Sequence, residues 1–461
     1  MHAPLFRPRT LTGWLLTACL ISPSVHALDL LQTWEQARQH DPQMQVVAAT
    51  RSSVQAFEAQ AQALWRPVLM GSATAGVMSA DTRTQGAQFA VGGQPPMPGS
   101  FATAASAATS SRWSLQAKQP LYSPERQAQQ AQLHTAAGVA QLRADLGQQQ
   151  FMLLTAQRDF DVLLAERQQQ VLEKQAVAVR RALTEAQDRF ALGDLPVTDT
   201  HEAQARAAGL QAQVLVAQTA VQMARSVLAQ SVRLGPEALQ LQVPKADAQL
   251  RDVPDLPQVL AWVQQANTVV LLQKAQWDMA RQALQKHQRG GGVTLDLVAS
   301  AGRERLSGEG DFGPSSQSQN QHMLGLSLSL PLYTGGGRSA QLQAAQSAEI
   351  QAGAEVDVAV QQAQQQARSV WLALQTGSAR LKALQASRQA STARLDATRL
   401  GRQVGDRTTL DVLQAENDAA QADLAWVHAQ TDLLLSRLQL DALTGQLSVQ
   451  SLQTLNAQLA P

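Results

Sequence analysis

The sequence predicts a mixed fold in which a transmembrane β-barrel, with four strands from each chain, continues into a long α-helical coiled-coil barrel. Three observations predict it. Two proline-free segments of about 67 residues read as helix, the plan of the chain occurs twice, and four short segments alternate apolar with polar residues. A helix of that length does not belong to an ordinary globular domain.

Composition already separates this chain from most soluble enzymes. Only 4% of the 461 residues are aromatic and 16% are charged, while Gln and Ala fill the long middle segments. Such a sequence favours helix but supplies few large side chains for a thick core. The formal net charge of +1 gives no basic field for nucleic acid, so no nucleic-acid partner is predicted.

Residues 1–27 read as a signal peptide. Arg7 and Arg9 precede a short apolar stretch, and a small-residue cleavage site ends at Ala27. An alternative is open, because the tetrapeptide ending at Cys19 resembles a lipobox, which would leave Cys19 lipidated at the mature N-terminus. Cys19 is the one cysteine in the sequence, so neither reading allows a disulfide within the mature chain.

Internal repeats give the organisation of the chain. The segments RFALGDLPVTDTHEAQA (189–205) and GRQVGDRTTLDVLQAEN (401–417) share their Gly-Asp, Asp and Ala positions at an offset of 212. The segments PLYSPERQAQQAQ and PLYTGGGRSAQLQ are related by an offset of 211. Gly76 and Gly302 lie in similar surroundings 226 positions apart. The chain therefore carries two copies of one plan.

Each copy reads as helix, strand, loop, strand, long helix, turn and helix. The first copy occupies 28–235 and the second 258–446. A proline-rich stretch, 236–257, is predicted to be a non-helical connection between them. Residues 447–461 form a C-terminal tail.

Four segments are predicted to be strands: 67–80, 112–118, 293–301 and 324–330. The alternation of apolar and polar residues is clear in the last three and least clear in 67–80, and it fits one apolar face, as in a membrane barrel. The alternation alone fits a half-buried soluble sheet equally well. The stretches between paired strands, 81–109 and 303–320, are rich in Gly, Ser, Ala and Pro and are predicted to be long exterior loops.

The long helices are predicted at 125–191 and 338–404, each about 100 Å long at 1.5 Å per residue. Apolar residues recur along both at spacings of 3, 4 and 7, which is typical of coiled-coil seams. Shorter helices are predicted at 29–65, 197–233, 258–287 and 408–443. Two short helices end to end match one long helix, which suggests a cylinder.

Counting strands predicts the assembly. Four strands cannot close a barrel, and an open sheet edge in lipid leaves backbone groups unpaired at several kcal/mol each. Two chains would give about eight strands, which leaves room for little more than side chains. Three chains would give about twelve strands and a water-filled lumen. A trimer is therefore predicted, although counting alone prefers three over two only modestly.

The quoted repeats, with the segments that surround them, resemble one known family. QVGDRTTLDVLQAEN (403–417) and its partner ALGDLPVTDTHEAQA are similar to the duplicated tip motif of the TolC family of outer-membrane efflux proteins. LSLPLYTGGGRSAQLQAA and LQAKQPLYSPERQAQQA resemble that family's strand-to-helix junctions, and DLLQTWEQARQHDPQMQVVAATR resembles its first helix. The resemblance covers nearly the whole mature chain.

The resemblance implies a homotrimeric channel in the outer membrane of a Gram-negative bacterium, in contact with outer-membrane lipid and extending into the periplasm. Its implied partners are a periplasmic adaptor and an inner-membrane ABC or proton-driven transporter. The implied cargo is protein, by type I secretion, or small molecules. The alternative function is a periplasmic adaptor protein with a long helical hairpin. No serine, cysteine or paired-carboxylate arrangement suggests catalysis, and the scattered histidines suggest no metal or cofactor site.

The resemblance also implies a gate at the periplasmic entrance. Asp411 matches an aspartate that rings the closed entrance, and Gln414 stands where the family has a second aspartate ring. Three carboxylates in one ring attract cations, so the loss of the second ring should weaken cation block. A plainer role is open for Asp411 and Asp199, because Asp commonly caps the start of a helix.

Four further residues belong to the implied gate. Arg407 matches an arginine that ties the mobile helix pair to its neighbour, and Thr198 and Asp199 match its partners. Arg402 replaces a tyrosine that is common in the family. A charge-assisted bond between Arg402 and Asp199 is the expectation for this chain.

Overall fold

The computed structural model describes residues 29–460, except 90–91, 94, 96, 195, 237–238, 240–242, 245–252 and 311–312. The predicted signal peptide and Cys19 lie outside the described residues. The helices are α1 (Leu30–His40), α2 (Pro42–Ala63), α3 (Pro124–Ala191), α4 (Val197–Val232), α5 (Leu256–Ala266), α6 (Thr268–Arg289), α7 (Gly337–Gln403), α8 (Thr409–Leu443) and α9 (Val449–Asn456). The strands are β1 (Val68–Phe89), β2 (Met97–Tyr122), β3 (Val243–Pro244), β4 (Thr294–Gly310), β5 (Gly313–Ser329) and β6 (Leu459–Ala460).

The two long helices are confirmed. Helix α3 has 68 residues and α7 has 67, with boundaries within one residue of those predicted. Helix α3 packs against α2, α4 and α6, while α7 packs against α5, α6 and α8. Each long helix therefore lies beside shorter helices along its length, as the matched lengths predict. No helix in the described part of the chain is both long and apolar enough to cross a membrane.

The predicted single helices over 29–65 and 258–287 are wrong, because each is interrupted once. Asp41 ends α1 and caps α2, its side chain accepting a hydrogen bond from the Gln43 N–H at 2.8 Å. Asn267 separates α5 from α6, its side chain accepting from the Val269 and Val270 N–H groups at 3.0 and 3.1 Å. Asp and Asn satisfy the free N–H groups of a new first turn, which makes a break inexpensive.

The sheet contains the four predicted strands in the order β1-β2-β4-β5, with every neighbouring pair antiparallel. The predicted loops over 81–109 and 303–320 are wrong in extent. The strands continue through most of both segments, so that β1 reaches Phe89 and β4 reaches Gly310. Backbone pairing between two adjacent strands holds these small polar residues extended without any need for apolar alternation.

The two hairpins share one register. Leu69 lies opposite Ala117 in the first hairpin, and Leu295 lies opposite Leu328 in the second. Leu295 follows Leu69 by 226 positions and Leu328 follows Ala117 by 211, which are the offsets found in the sequence. The duplication therefore extends to the strand pairing.

The sheet has two chemically distinct faces. We call one the apolar face; its side chains include Leu69, Ala73, Val77, Trp113, Leu115, Leu295, Leu297, Leu324, Leu326 and Leu328. Many are strongly exposed, with Leu324 at 75% and Val77 at 74%. The opposite, polar face carries Ser, Thr and Gln and two ion pairs, Arg112–Glu304 at 2.7 Å and Lys118–Asp296 at 2.8 Å. The alternation read from the sequence is thus confirmed.

Most large buried side chains lie among the helices. Trp34 on α1 and Phe151 on α3 have ring centroids 5.7 Å apart, within a cluster that includes Phe160, Leu228 and Leu438. Helix α9 packs on α1 and α8, and β6 pairs with β3. Residues 449–460 are therefore ordered against the body of the chain. This cluster lies along the helices, between the sheet and the turns that end α3 and α7.

Candidate gate at the helical tips

The two turns that join α3 to α4 and α7 to α8 have the same construction. In the second, the Gly405 N–H donates to the Arg402 carbonyl oxygen at 3.1 Å and the Asp406 N–H donates to that of Gly401 at 2.9 Å. In the first, Gly193 and Asp194 make the equivalent bonds at 3.0 and 2.8 Å. This is the Schellman motif, which needs a left-handed residue, and the two glycines have φ of 82° and 84°.

The repeated Gly-Asp pair therefore has a structural cause. Glycine adopts the left-handed conformation without the steric cost of a Cβ atom. The following Asp supplies the N–H that closes the turn. A tight turn at this position fixes where the next helix begins.

Helix α8 begins with a reciprocal cap between Thr408 and Asp411. The Thr408 Oγ1 accepts from the Asp411 N–H at 3.1 Å, while Asp411 Oδ2 accepts from the Thr408 N–H at 2.9 Å and from its hydroxyl at 2.8 Å. This arrangement is a capping box. Asp411 therefore caps helix α8, as one of the two roles considered from the sequence required. The other role, in a ring of three aspartates at the entrance, stays a prediction.

The same bonds change the acidity of Asp411. The backbone N–H and the hydroxyl of Thr408 stabilise the ionised carboxylate and lower its pKa, and the charge of Arg407 lowers that pKa further. The side chain of Asp411 is exposed at the tip. Asp411 therefore presents a persistent negative charge to the solvent at the end of the helical pair.

The first tip departs from this pattern. Pro196 occupies the position of Thr408, and α4 has no side-chain cap. Asp199 is the counterpart of Asp411, and among the described residues its Oδ1 accepts a side-chain bond only from the adjacent Thr198 hydroxyl, at 3.3 Å. Helix capping therefore does not occupy the carboxylate of Asp199.

Arg402 does not pair with Asp199, which corrects the expectation from the sequence. It forms an ion pair with Glu185 on α3. The Thr409 hydroxyl donates to the same carboxylate at 3.4 Å. Glu185 thus links the last turn of α7 and the first turn of α8 to the other helical pair. Glu185, six residues before the end of α3, therefore takes the place that the sequence assigned to Asp199 on α4.

Arg407 lies at the turn and is more than half exposed. Its Nε is 3.8 Å from Oδ2 of the neighbouring Asp406, which is a weak contact. Its stem covers Gly401, where an added Cβ would come within 2.8 Å of the Arg407 Cγ. The guanidinium therefore has no strong partner within the described chain, and the predicted tie to a neighbour stays a prediction.

Helices α7 and α8 are joined by a row of polar contacts. Arg399 pairs with Glu416 at 2.8 Å, and Arg394 pairs with Asp418. Gln414 donates to the other oxygen of Asp418 at 2.9 Å. Gln414 therefore takes part in this row, and its neutral amide completes a contact that a second aspartate would replace with repulsion.

Three of the six predicted gate residues line a cleft of about 530 Å³ between the two helical pairs, whereas Asp411, Gln414 and Thr198 lie outside its lining. Its lining includes Arg189, Arg206, Arg402, Arg407, Glu185 and Asp199. The structure thus brings Asp199, Arg402 and Arg407 together in one cleft.

Two residues of the tip, Glu185 and Thr408, were not predicted from the sequence. The pattern Thr-x-x-Asp before α8 is a recognisable capping signal, whereas nothing near Glu185 in the sequence identifies its partners.

Comparison with known proteins agrees with this architecture. The family model described as outer membrane efflux protein matches residues 271–446. The chain is 26% identical over 439 residues to the outer membrane protein TolC of Vibrio cholerae, covering 95% of each chain. It is 28% identical over 290 residues to the outer membrane efflux protein BepC of Brucella suis, covering 63% of this chain and 62% of BepC.

Solved structures share the fold. The CmeC outer membrane channel of Campylobacter jejuni superposes with a TM-score of 0.71 at 12% identity, covering 94% of this chain and 90% of that one. At this identity the similarity concerns the fold alone. The superposed region covers nearly all of this chain.

Proposed function

Because this chain belongs to the TolC-like family of outer membrane efflux proteins, we propose that it is the outer-membrane channel of a tripartite export system. It carries protein or small-molecule cargo across the periplasm and the outer membrane. The observation that supports this most strongly is a sheet whose exposed apolar face is continuous, through short junctions, with helices of 68 and 67 residues.

The two edges of the sheet are the reason for an assembly. Strands β1 and β5 are terminal in the strand order, so each presents one row of backbone groups that its own chain does not pair. Lipid cannot satisfy these groups, whereas the edge of another copy can. Three copies would close a barrel of about twelve strands.

The duplication predicts how the copies meet. Within the chain, Gln116 of β2 lies opposite Ser300 of β4. When the offsets of 211 and 226 are applied, this pair becomes Ser327 of β5 opposite Thr74 of β1 in a second copy. The same operation aligns Leu326 with Ala75 and Leu324 with Val77, so apolar side chains meet apolar side chains on the apolar face of the junction. The boundary between copies would then repeat the junction inside each chain.

Cysteine cross-linking tests this proposal. In a double variant with Ser327→Cys and Thr74→Cys, each chain should form one disulfide with each neighbour, since directly opposed residues lie within disulfide reach. Mild oxidation should then give a covalent species of three chains as the largest product on denaturing gels. A largest product of two or four chains would contradict the trimer.

The control variant also carries one cysteine on β5 and one on β1, but the two cysteines are not directly opposite each other in the proposed register. Ser327→Cys combined with Ser72→Cys shifts one residue by two positions along β1 and should cross-link much less efficiently. Each single cysteine variant controls for Cys19. Equal cross-linking of the matched and shifted pairs would refute the register, and no cross-linking of either would refute the strand junction.

The tips form the closed entrance in this proposal. Asp411 of three copies forms an anionic ring, Gln414 leaves the second ring position neutral, and Arg407 ties each tip to Thr198 and Asp199 of a neighbour. Planar-bilayer recordings test the ring: Asp411→Asn should relieve block by divalent cations added on the side of the helical tips. Unchanged block, in channels of unchanged number, would remove Asp411 from the entrance.

A periplasmic adaptor and an inner-membrane ABC or proton-driven transporter complete the system. The alternative, that this chain is itself an adaptor, does not explain two strand hairpins in one sheet with an exposed apolar face. Membrane fractionation separates the two functions, because a channel should sediment with outer-membrane markers and require detergent for release. Recovery with inner-membrane markers would favour the adaptor.

A further inference from the structure

Two arginines stand on the face of the sheet where charge is least expected. Arg303 and Arg305 share the apolar face of β4 with Leu295 and Leu297, and both are exposed. An arginine on a lipid-facing surface costs about 2–4 kcal/mol at the bilayer midplane and about 0–1 kcal/mol near the interface. Their position therefore needs a polar partner or a place at the membrane boundary.

On the polar face of the same strands, by contrast, the basic side chains form ion pairs. Arg112 pairs with Glu304 and Lys118 pairs with Asp296, so each cation there has its own carboxylate. Among the described residues, neither Arg303 nor Arg305 forms an ion pair. The Arg303 Nη2 donates a single bond to the Ser318 hydroxyl at 3.3 Å. The two guanidinium groups, on residues about 7 Å apart along the strand, thus keep most of their donors available.

Their height on the sheet is defined by the strand register. Arg303 lies opposite Trp113, beyond the apolar residues that begin at Leu295. Eight residues of strand span about 26 Å, which at a tilt of about 40° is about 20 Å across the membrane. The arginines therefore stand at the upper boundary of the apolar band, next to an aromatic residue typical of that level.

Closure of the barrel does not cover this site. Strand β4 lies between β2 and β5 within one chain, so its outward face makes no part of the proposed junction between copies. Arg303 and Arg305 are the tenth and twelfth of the 17 residues of β4, so they lie past its midpoint, toward the end of the strand remote from the helices. Under the proposed function, on which this inference rests, that end faces the outer leaflet.

We propose that Arg303 and Arg305 form a binding site for the phosphate groups of the phosphorylated glycolipid of the outer leaflet, with one site on each chain. Guanidinium groups bind phosphate through paired N–H donors, and this pairing is stronger at a membrane boundary than in bulk water. Trp113, opposite Arg303, contacts the lipid at the boundary between its sugar headgroup and its acyl chains. The lipid phosphates then supply the anionic partners that neither arginine has among the described residues of the chain. Glu309 lies on the same face, four residues beyond Arg305, and forms no ion pair with it.

Lipid-binding measurements test the proposal. Purified full-length protein in detergent is titrated with bisphosphorylated lipid A, with the same glycolipid after removal of its phosphates, and with phosphatidylglycerol, and bound lipid is counted by native mass spectrometry. Wild type should prefer bisphosphorylated lipid A over the other two by at least about tenfold. The double variant Arg303→Gln, Arg305→Gln should lose that preference, while Arg112→Gln, which removes a cation from the polar face, should keep it.

Each outcome decides the proposal. Equal binding of lipid A with and without phosphates, or equal loss in the Arg112→Gln control, would overturn it. Equal binding of phosphatidylglycerol would overturn the assignment to the glycolipid. Bilayer conductance of the wild-type protein is measured in parallel: protein that conducts without preferring phosphorylated lipid refutes this inference alone, whereas protein that neither assembles nor conducts refutes the proposed function.

Discussion

Replacement of Asp159 by Asn should stabilise the chain at neutral and alkaline pH and leave it unchanged in acid. Asp159 lies on α3, only 3% exposed, where it meets Thr33 of α1. Burial raises the pKa of its carboxyl from 3.8 to about 7; the Thr33 hydroxyl opposes that rise and the charge of Asp29 adds to it. No cation lies beside the carboxylate in any described ion pair.

The magnitude follows from the pKa difference. A rise of about three units corresponds to about 4 kcal/mol of differential stability. Because the folded pKa lies above the unfolded one, the folded state holds its proton longer. The contribution of Asp159 to stability is therefore largest below pH 3.8, falls as the pH rises to about 7, and is constant above that. Asn keeps the shape and the hydrogen-bonding capacity of the protonated acid and removes this dependence.

Guanidinium titrations of detergent-solubilised protein between pH 4 and 8 provide the assay. At pH 8 the Asp159→Asn variant should exceed wild type in free energy of unfolding by up to about 4 kcal/mol, and at pH 4 the two should nearly coincide. Asp161→Asn is the matched control, since Asp161 is exposed two residues away and accepts only a bond from Gln157 at 2.8 Å. An Asp159→Asn variant that follows the wild-type pH curve, or is weaker at pH 8, would refute the reasoning.

Three further predictions concern the tips. Thr408→Ala removes the reciprocal cap and should cost about 1 kcal/mol of stability in thermal unfolding. The same variant should raise the pKa of Asp411. As the pH is lowered in bilayer recordings, cation block should therefore be lost at a higher pH in the variant than in wild type. Arg407→Ala should raise resting conductance because a predicted tie across the closed tip is lost, and unchanged leakage would exclude Arg407 from the gate. Gly405→Ala places a Cβ atom at a φ of 84° and should cost about 1 kcal/mol in thermal unfolding, whereas Gly138→Ala, within α3 and with no atom near its added Cβ, should not destabilise the chain.

The long helices and the tip turns were readable from the sequence because their causes are local. The absence of proline over about 67 residues and the apolar spacing along them predict α3 and α7 within one residue. The repeated Gly-Asp pair marks both tips because a left-handed residue closes a Schellman turn. The alternation in 293–301 likewise indicated the two faces of the sheet. Each signal lies within a few residues of the feature that it determines.

Breaks in the helices and the full length of the strands were not predicted. Asp41 and Asn267 are single capping residues inside otherwise helical stretches, and such residues occur in unbroken helices as well. The outer parts of β1 and β2 contain small polar residues without alternation, and only the partner strand holds them extended. Strand length therefore depends on pairing with the neighbouring strand, and the residues of one segment do not reveal that pairing.

Local patterns in the sequence were enough to predict the two copies, the lengths of α3 and α7, the tip turns and the existence of four strands. The contacts between residues distant in sequence depend on how the helices pack. Glu185 binds Arg402 across 217 positions of chain, and Asp159 is buried against a helix 126 positions away. Such contacts depend on how two helical pairs lie side by side, and neither residue type nor local spacing carries that information.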